Sequence, residues 1–235
     1  MKVIGIVGFK KSGKTSLGVR LSRTLTEMGH RVAVVKHVSE DIDLPESDSS
    51  KYSVYADVVA AVSSERMEII QKGGKILEDV LAYLDADIVL VEGFKREKTF
   101  PKIVCLREEK EKDDLMDGLG LFTAGLQKEF ADYNISDSAH LKEMARLAWE
   151  KAFKLPNLDC GHCGYESCYD LAREIVKGKE TTETCVSLDP PISIRIDGQS
   201  LPLNDYTNTL FRNIVLAMLS NLKGYKKGNI EIEIP

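Results

Sequence analysis

The chain has 235 residues, 43% of them apolar and 29% charged, with a net charge of −5. That is enough for one α/β domain of ordinary size plus something smaller, and no apolar run approaches the roughly 18 residues of a membrane span. The acidic balance excludes general electrostatic attraction to nucleic acid or anionic lipid, both of which need a basic surface. The start, Met1-Lys2-Val3-Ile4-Gly5, goes straight into a strand without the charged and apolar regions of a signal peptide, so a soluble, cytoplasmic protein is expected. Four of the five cysteines fall between Cys160 and Cys185, and in a reducing compartment such clustering points to metal rather than to disulfides.

The apolar run Val3 to Val7 predicts a strand and leads into Gly8-Phe9-Lys10-Lys11-Ser12-Gly13-Lys14-Thr15, which fits G-x-x-x-x-G-K-[ST]. A strand, a glycine loop and a helix in this order form a phosphate cradle. Gly8 and Gly13 let the backbone bend so that successive N–H groups face phosphate oxygens, and the helix beginning near Lys14 directs its positive dipole end at them. Lys10, Lys11, Ser12 and Ser16 complete the loop around the phosphates. Lys14 is expected to reach the β/γ-phosphates and the Thr15 hydroxyl to ligate Mg²⁺. Phe9 stands where the dimer-bridging ATPases carry a second lysine, so neither Lys10 nor Lys11 takes that bridging role.

Thr15 to Met28 carries Leu17, Leu21 and Leu25 at helical spacing, ends at Gly29 and precedes the β-branched run Arg31 to Val35. This is a β-α-β unit, and continuous apolar strands of this kind predict a parallel sheet in which both strands are buried under helices. After Lys36-His37 a polar, acidic, serine-rich stretch runs from Ser39 to Ser53 at the carboxyl end of a strand, where open α/β sheets bind ligands. His37, Asp41 and Asp43 either line the phosphate end of the pocket or belong to a solvated loop. Asp57 to Val62 and Met67 to Gln71 predict a hairpin about Ser63-Ser64-Glu65-Arg66.

Gly74 to Leu84 places Ile76, Leu77, Val80, Leu81 and Leu84 on one helical face. Asp87-Ile88-Val89-Leu90-Val91-Glu92-Gly93 is an apolar strand ending in an acid, the pattern of a Walker B element whose carboxylate sits beside Mg²⁺ directly or through water. Just beyond it, Lys95 and Arg96 are either an anion-binding site or exposed surface charge. Lys102 to Leu106 and Leu121 to Ala124 predict further strands separated by the charged loop Arg107 to Asp117, with Cys105 a small core residue. Ser138 begins a helix that buries Leu141, Met144, Ala145, Ala148 and Trp149. The first domain closes near Leu155-Pro156.

The glycine loop, the strand ending Val35-Lys36-His37 with Asp41 and Asp43 behind it, and Leu90-Val91-Glu92-Gly93-Phe94-Lys95 followed by Lys102-Ile103-Val104 together resemble the molybdopterin-guanine dinucleotide biosynthesis protein B (MobB) family over roughly residues 1–153. The resemblance implies a GTP-binding P-loop fold, weak GTPase activity, homodimerisation and support of the guanylyltransferase that attaches a GMP unit to molybdopterin. It assigns phosphate and Mg²⁺ roles to Gly13, Lys14, Thr15 and Glu92. Lys36, His37, Asp41 and Asp48 inherit a place in the active site without a stated role. No Asn-Lys-x-Asp guanine-reading motif is present in the sequence, so the preference for guanine rests on the resemblance.

Cys160, Cys163, Cys168 and Cys185 have the spacing C-x₂-C-x₄-C-x₁₆-C. Gly161 and Gly164 allow a tight turn, Cys168 opens an amphipathic helix through Ala172, Ile175 and Val176, and Gly178 ends that helix and returns the chain toward Cys185. Four thiolates hold a [4Fe-4S] cluster, whereas structural zinc prefers paired C-x₂-C motifs or Cys/His mixtures. The gaps here fit the cluster better, with zinc as second choice and His162 a loop residue beside the centre. The segment also resembles the small four-cysteine iron–sulfur domain of redox and corrinoid proteins.

Beyond Pro190-Pro191, Ile192 to Ile196 alternates as a strand, Asp197-Gly198 is a hairpin turn, and Leu201 to Leu203 is the expected partner strand. Asn204 or Asp205 caps a helix from Tyr206 to Leu222 with Leu210, Ile214, Ala217, Met218 and Leu222 on its apolar face, and Asn208 and Asn213 are expected in solvent. Asn229 to Ile234 predicts a last strand. The predicted organisation is an α/β P-loop NTPase with a mainly parallel sheet covered on both faces (1–155), a four-cysteine metal-binding module (156–190) and a small ββαβ unit (191–235). The leading functional expectation is a GTP-binding accessory protein of molybdenum or tungsten cofactor maturation, with GTP, Mg²⁺ and molybdopterin as ligands and a guanylyltransferase or client molybdo- or tungsto-enzyme as partner. Two rivals are an adaptor or metallocentre-insertion protein acting on a redox enzyme, and a small-molecule kinase using His37 or Asp41 as base. Hydrolysis is expected to be slow, since no water-positioning glutamine or arginine finger can be named.

Overall fold

A computed structural model describes residues 1–38, 47–73, 76–127 and 129–188, and in the carboxyl-terminal part residues 192, 194–196, 199–201, 203–226, 230 and 232. Its core is a six-stranded sheet. The strands are β1 (Lys2–Gly8), β2 (Val32–Lys36), β5 (Ile88–Glu92), β6 (Lys102–Leu106), β7 (Gly120–Gly125) and β8 (Tyr133–Asn134), in the order β2-β5-β1-β6-β7-β8. Every pairing in it is parallel. The mostly parallel sheet covered by helices is as the sequence predicts.

Alternation along the strands divides the core into two faces. Ile4, Ile6, Ile88, Leu90, Ile103 and Phe122 pack on one side against helix α1 (Lys14–Glu27) and helix α5 (Ser138–Lys151), through Leu17, Leu21, Leu25, Leu141, Met144, Ala145 and Ala148. Val3, Val35, Val89 and Val91 point the other way and pack on Leu77 and Leu81 of helix α3 (Leu77–Ala82) and on Phe100. Asp137 caps α5, its carboxylate accepting from the backbone N–H groups of Ala139 and His140. Trp149 is partly buried at the far end of that helix, stacked 3.6 Å from the His30 ring.

Several local expectations are corrected. β2 is an edge strand, and Val34 is 52% exposed, facing an open cavity beside α1. Ile76 precedes α3 as an extended residue 64% exposed, so the buried face of that helix begins at Leu77. The charged loop after β6 contains a short helix α4 (Glu111–Leu115), whose Leu115 packs on Val7 and Val104. The predicted hairpin is present as β3 (Val58–Val62) and β4 (Met67–Gln71), antiparallel and forming a separate sheet after the short helix α2 (Asp48–Ser53).

Helix α6 (Cys168–Val176) begins at the third clustered cysteine, and Lys177 and Gly178, the latter at φ 74°, end it. Leu171 and Ala172 of α6, with Cys168 and Cys185, bury themselves against Leu119, Phe153 and Leu155. In the last segment β9 (Ile194–Ile196) pairs antiparallel with β10 (Gln199–Leu201), two residues earlier than the predicted partner. The predicted turn residues Asp197 and Gly198 lie outside the described residues. So does most of the predicted strand at 229–234.

Helix α7 (Asp205–Ser220) starts after its Asn204 cap as expected, but its apolar face is not covered: Leu210, Ile214 and Met218 are 43%, 49% and 68% exposed. Asn208 is not in solvent. It is 1% exposed and mimics a strand partner, its amide donating to the Ile192 carbonyl at 3.1 Å and its oxygen accepting from the Ile192 N–H at 3.0 Å.

Candidate functional site

The glycine loop joins β1 to α1 at the carboxyl end of the sheet. Gly8 is sterically compelled: a Cβ there would stand 2.3 Å from Ser12 Oγ and 2.5 Å from the Cys105 carbonyl oxygen. Gly13 caps α1 in the left-handed region at φ 87°, which an L side chain rarely adopts. The Lys14 ammonium donates to the Phe9 carbonyl at 2.6 Å, so it lies back along the loop. Ser12 is 2% exposed, and its hydroxyl has no hydrogen-bond partner among the described residues. A buried hydroxyl left unsatisfied is uncommon and calls for a partner from outside the chain.

Parallel register brings the acid to this loop. Glu92 ends β5 between Ile6 of β1 and Lys36 of β2. The Thr15 hydroxyl donates to Glu92 Oε1 at 2.7 Å. Thr15 is exposed and Glu92 is 8% exposed, so a hydroxyl facing solvent rests on a buried carboxylate. Beneath the pair a cavity of about 160 Å³ runs between α1 and β2, lined by Thr15, Glu92 and Lys36 and floored by Ile6, Val34 and Leu90. Hydroxyl and carboxylate oxygens of this kind are the donor set of Mg²⁺. With the unsatisfied Ser12 hydroxyl and the two glycines, they fit a phosphate group and its cation.

The other predicted loop residues are placed as follows. Lys10, Lys11 and Ser16 are exposed around the loop, Lys11 at φ 66°. His37 follows β2, its N–H donating to the Glu92 carbonyl at 2.8 Å and its ring meeting Phe94 edge-on at 5.1 Å. Asp48 opens α2 and pairs with Lys51 at 2.8 Å. Asp41 and Asp43 lie outside the described residues. Cys105 is fully buried, and burial pushes its thiol up to about 12, which agrees with a core role.

A buried ionic node behind the loop could not be found by motif. Lys102, 1% exposed, donates to Asp117 Oδ2 at 2.7 Å and to the Lys95 carbonyl at 2.8 Å. Lys98 reaches the same Asp117 oxygen at 2.8 Å. Burial holds the Lys102 ammonium below its ordinary value, against the upward pull of the Asp117 hydrogen bond. Burial opposes ionisation of Asp117 as well, but the two lysine hydrogen bonds outweigh it and keep its carboxyl below the usual range. The Asp117 carbonyl accepts from the Tyr169 hydroxyl, and Lys98 lies 4.5 Å over the Tyr169 ring. The node therefore ties the loop after β5 to α6, one residue beyond Cys168.

All four clustered cysteines are free thiols, Cys168 and Cys185 buried and Cys160 and Cys163 half-buried. Burial raises the Cys185 thiol, and the charges of Cys168, Cys163 and Cys160 add to the rise. At Cys160 burial acts in the same sense, but hydrogen bonds from the backbone and imidazole of His162 and from Ser187 leave the thiol below its ordinary value. Among the described residues no three His, Cys, Asp or Glu side chains are close enough together to hold a metal ion in this arrangement. The donor chemistry is that of a thiolate site; the placement of the sulfurs is looser than a bound metal requires.

A parallel sheet whose first strand passes through a glycine loop into a helix, with an acid from the adjacent strand bonded to the loop threonine, defines an α/β protein of the P-loop class. The family model "Molybdopterin guanine dinucleotide synthesis protein B" matches residues 3–120, and the model "Putative Fe-S cluster" matches residues 155–187. The "Putative molybdopterin-guanine dinucleotide biosynthesis adapter protein" of Methanocaldococcus jannaschii is 31% identical over 246 aligned positions that cover 100% of this chain and 98% of the relative. The chain belongs to the molybdopterin-guanine dinucleotide biosynthesis protein B family. The "Molybdopterin-guanine dinucleotide biosynthesis adapter protein" of Haemophilus influenzae is 33% identical over 47% of this chain and 66% of its own length. The fold matches the crystal structure of Bacillus subtilis MobB with a TM-score of 0.54 at 21% identity, over 62% of this chain and 97% of that one. It matches the MobB protein homolog of Bacillus stearothermophilus with a TM-score of 0.50 at 25% identity, over 63% and 98%. No helix among the described residues is long and apolar enough to cross a membrane.

Proposed function

We propose that this protein is a GTP-binding adapter of molybdopterin-guanine dinucleotide biosynthesis that carries an iron–sulfur module. The curated relatives are named for that pathway, and one of them aligns with the whole chain. The observation that carries the nucleotide reading is the Thr15–Glu92 hydrogen bond of 2.7 Å beneath a glycine loop whose buried Ser12 hydroxyl lacks a partner. Gly8, Lys10, Lys11, Ser12, Gly13, Lys14, Thr15 and Ser16 surround the phosphates, Lys36 and His37 stand at the rim, and Thr15 and Glu92 would hold Mg²⁺. The cation supplies charge neutralisation at the phosphates when bound. The residues themselves bind and orient the nucleotide, which suits a switch or adapter with slow turnover. Its partners in this reading are molybdopterin and the guanylyltransferase or client enzyme.

For the module, Cys160, Cys163, Cys168 and Cys185 would hold a [4Fe-4S] cluster. Their spacing and the match to an iron–sulfur family model support this, and it requires the sulfurs to draw closer than they stand here. The test has two parts. Calorimetry with Mg²⁺ is expected to give GTP binding that weakens at least about 100-fold in Lys14→Ala, as loss of a charged phosphate contact in a dry site does. Wild-type protein that binds no GTP in the presence of Mg²⁺ overturns the nucleotide reading. Anaerobically purified protein is expected to contain iron and labile sulfide with visible absorption, and stoichiometric zinc without sulfide overturns the cluster.

A further inference from the structure

Just past Glu92 the chain reverses sharply. Gly93 has φ 100° and Phe94 φ 26°, and a Cβ on Gly93 would stand 2.8 Å from His37 Cβ, so the turn is closed against β2. The reversal carries Lys95 back to the glycine loop, where its ammonium lies 3.9 Å from the centre of the Phe9 ring. The main chain of Lys95 is pinned as well, since its carbonyl accepts at 2.8 Å from Lys102, the lysine anchored on Asp117. Lys14 arrives at the same residue from the other side, on the Phe9 carbonyl. Two ammonium groups thus converge on Phe9, one on its ring and one on its backbone.

Bringing like charges together is unfavourable unless an anion joins them. Partial burial, and after it the charge of Lys14, hold Lys95 below the ordinary lysine value. Glu111, a carboxylate that acts on Lys95 in the opposite sense, is 3% exposed and bonded to Arg107 Nε at 2.7 Å. Arg107 adds a third cation, 5.9 Å from the Phe9 ring. In the same loop the Ser12 hydroxyl, buried and without a partner among the described residues, offers a further hydrogen bond. The loop is therefore more cationic than a P-loop with a single lysine, and it is braced from behind by the Lys102–Asp117 node.

We propose that Lys95 is a phosphate-binding residue that, with Lys14, clasps a phosphate group at the mouth of the Gly8–Thr15 loop. The inference builds on the nucleotide reading above. The shared chemistry is a phosphate bearing two negative charges, supplied either by the terminal phosphate of the nucleotide or by the phosphate monoester of molybdopterin. The Gly93-Phe94 turn and the Lys102 bond hold the lysine in place, and the Phe9 ring stabilises its charge until the phosphate arrives.

The experiment compares wild type, Lys95→Gln and Lys95→Arg by calorimetry with Mg²⁺, using GDP, a non-hydrolysable thiophosphate analogue of GTP, and molybdopterin added to the nucleotide-free and GDP-loaded protein. Lys95 is exposed, so unchanged thermal melting is expected of both variants. A terminal-phosphate role predicts that Lys95→Gln weakens the GTP analogue by roughly 10- to 100-fold, leaves GDP within about twofold, and is largely rescued by arginine. A pterin-phosphate role predicts the same loss for molybdopterin and none for either nucleotide. Equal affinities of wild type and Lys95→Gln for all the ligands overturn the proposal. Should wild type bind neither nucleotide, the nucleotide reading fails by itself, and molybdopterin binding to the nucleotide-free variants still decides the role of Lys95.

Discussion

Asp117→Asn isolates a buried charge. Lys102 is 1% exposed and has two acceptors, Asp117 Oδ2 and the Lys95 carbonyl. Removing one partner of a buried pair costs about 3–5 kcal/mol, because the remaining charge stays desolvated. An asparagine oxygen can still accept a neutral hydrogen bond, which places the expected loss near the low end, about 3 kcal/mol. Lys102→Met acts differently, since Asp117 keeps Lys98 and its side chain is 21% exposed. There the loss is expected to be about 1–2 kcal/mol, near that of one charged hydrogen bond. In a chain of this size the two figures correspond to melting temperatures lowered by roughly 6–12 °C and 2–8 °C.

Urea titrations followed by circular dichroism and by the fluorescence of the single tryptophan, Trp149, measure both losses. The pH dependence supplies a second readout. Asp117 has its carboxyl depressed in the folded state, so its contribution is fully present above the unfolded carboxylate value of about 3.9 and is lost as pH falls through the folded value. The gap between wild type and Asp117→Asn should be flat above about pH 5 and close below about pH 4. A loss under about 1 kcal/mol for Asp117→Asn, or one no larger than for Lys102→Met, refutes the assignment of the node as a buried charge cluster.

Two further outcomes follow from other parts of the molecule. Asn208→Ala removes both hydrogen bonds to Ile192 and leaves that backbone unpaired, so it should lower protection from hydrogen exchange around Ile192 and Ile194–Ile196 by about 1–3 kcal/mol while leaving the sheet at Lys2–Gly8 unaffected; equal loss in both places contradicts the local role. With its thiol pushed up to about 12 and no exposed surface, Cys105 should be the slowest cysteine to react with a maleimide between pH 7 and 9, where an ordinary thiol near 8.5 ionises. Mapping of the labelled peptides in metal-free protein reports this, and early labelling of Cys105 contradicts it.

Much of the candidate site's local geometry was legible because its parts are local. A glycine loop, the run that feeds it and the leucines Leu17, Leu21 and Leu25 are set by steric allowance and by a period of 3.6 residues, both of which act within one segment. Glu92 was legible for the same reason, as the acid ending an apolar strand. Lys36 and His37 were placed at a strand end, where the register against Glu92 confirms their neighbourhood. The Cys160–Cys185 spacing was equally plain, but spacing says nothing of how close the sulfurs stand.

What sequence alone determined, then, is the strand–loop–helix, the acid strand, the helical faces of α1 and α5 and the presence of a thiol-rich segment, each governed by neighbours a few residues apart. The tertiary structure decided which strands adjoin: inserting β5 between β1 and β2 is what sets Glu92 against Thr15 and leaves Val34 at an edge. It also decided the burial of polar residues that no motif singles out. Lys102, Asp117 and Asn208 carry ordinary surface chemistry in the sequence, and only the packing of distant segments removes water from them and makes their partners matter. Burial is a sum over the whole fold, so no local pattern could have announced it.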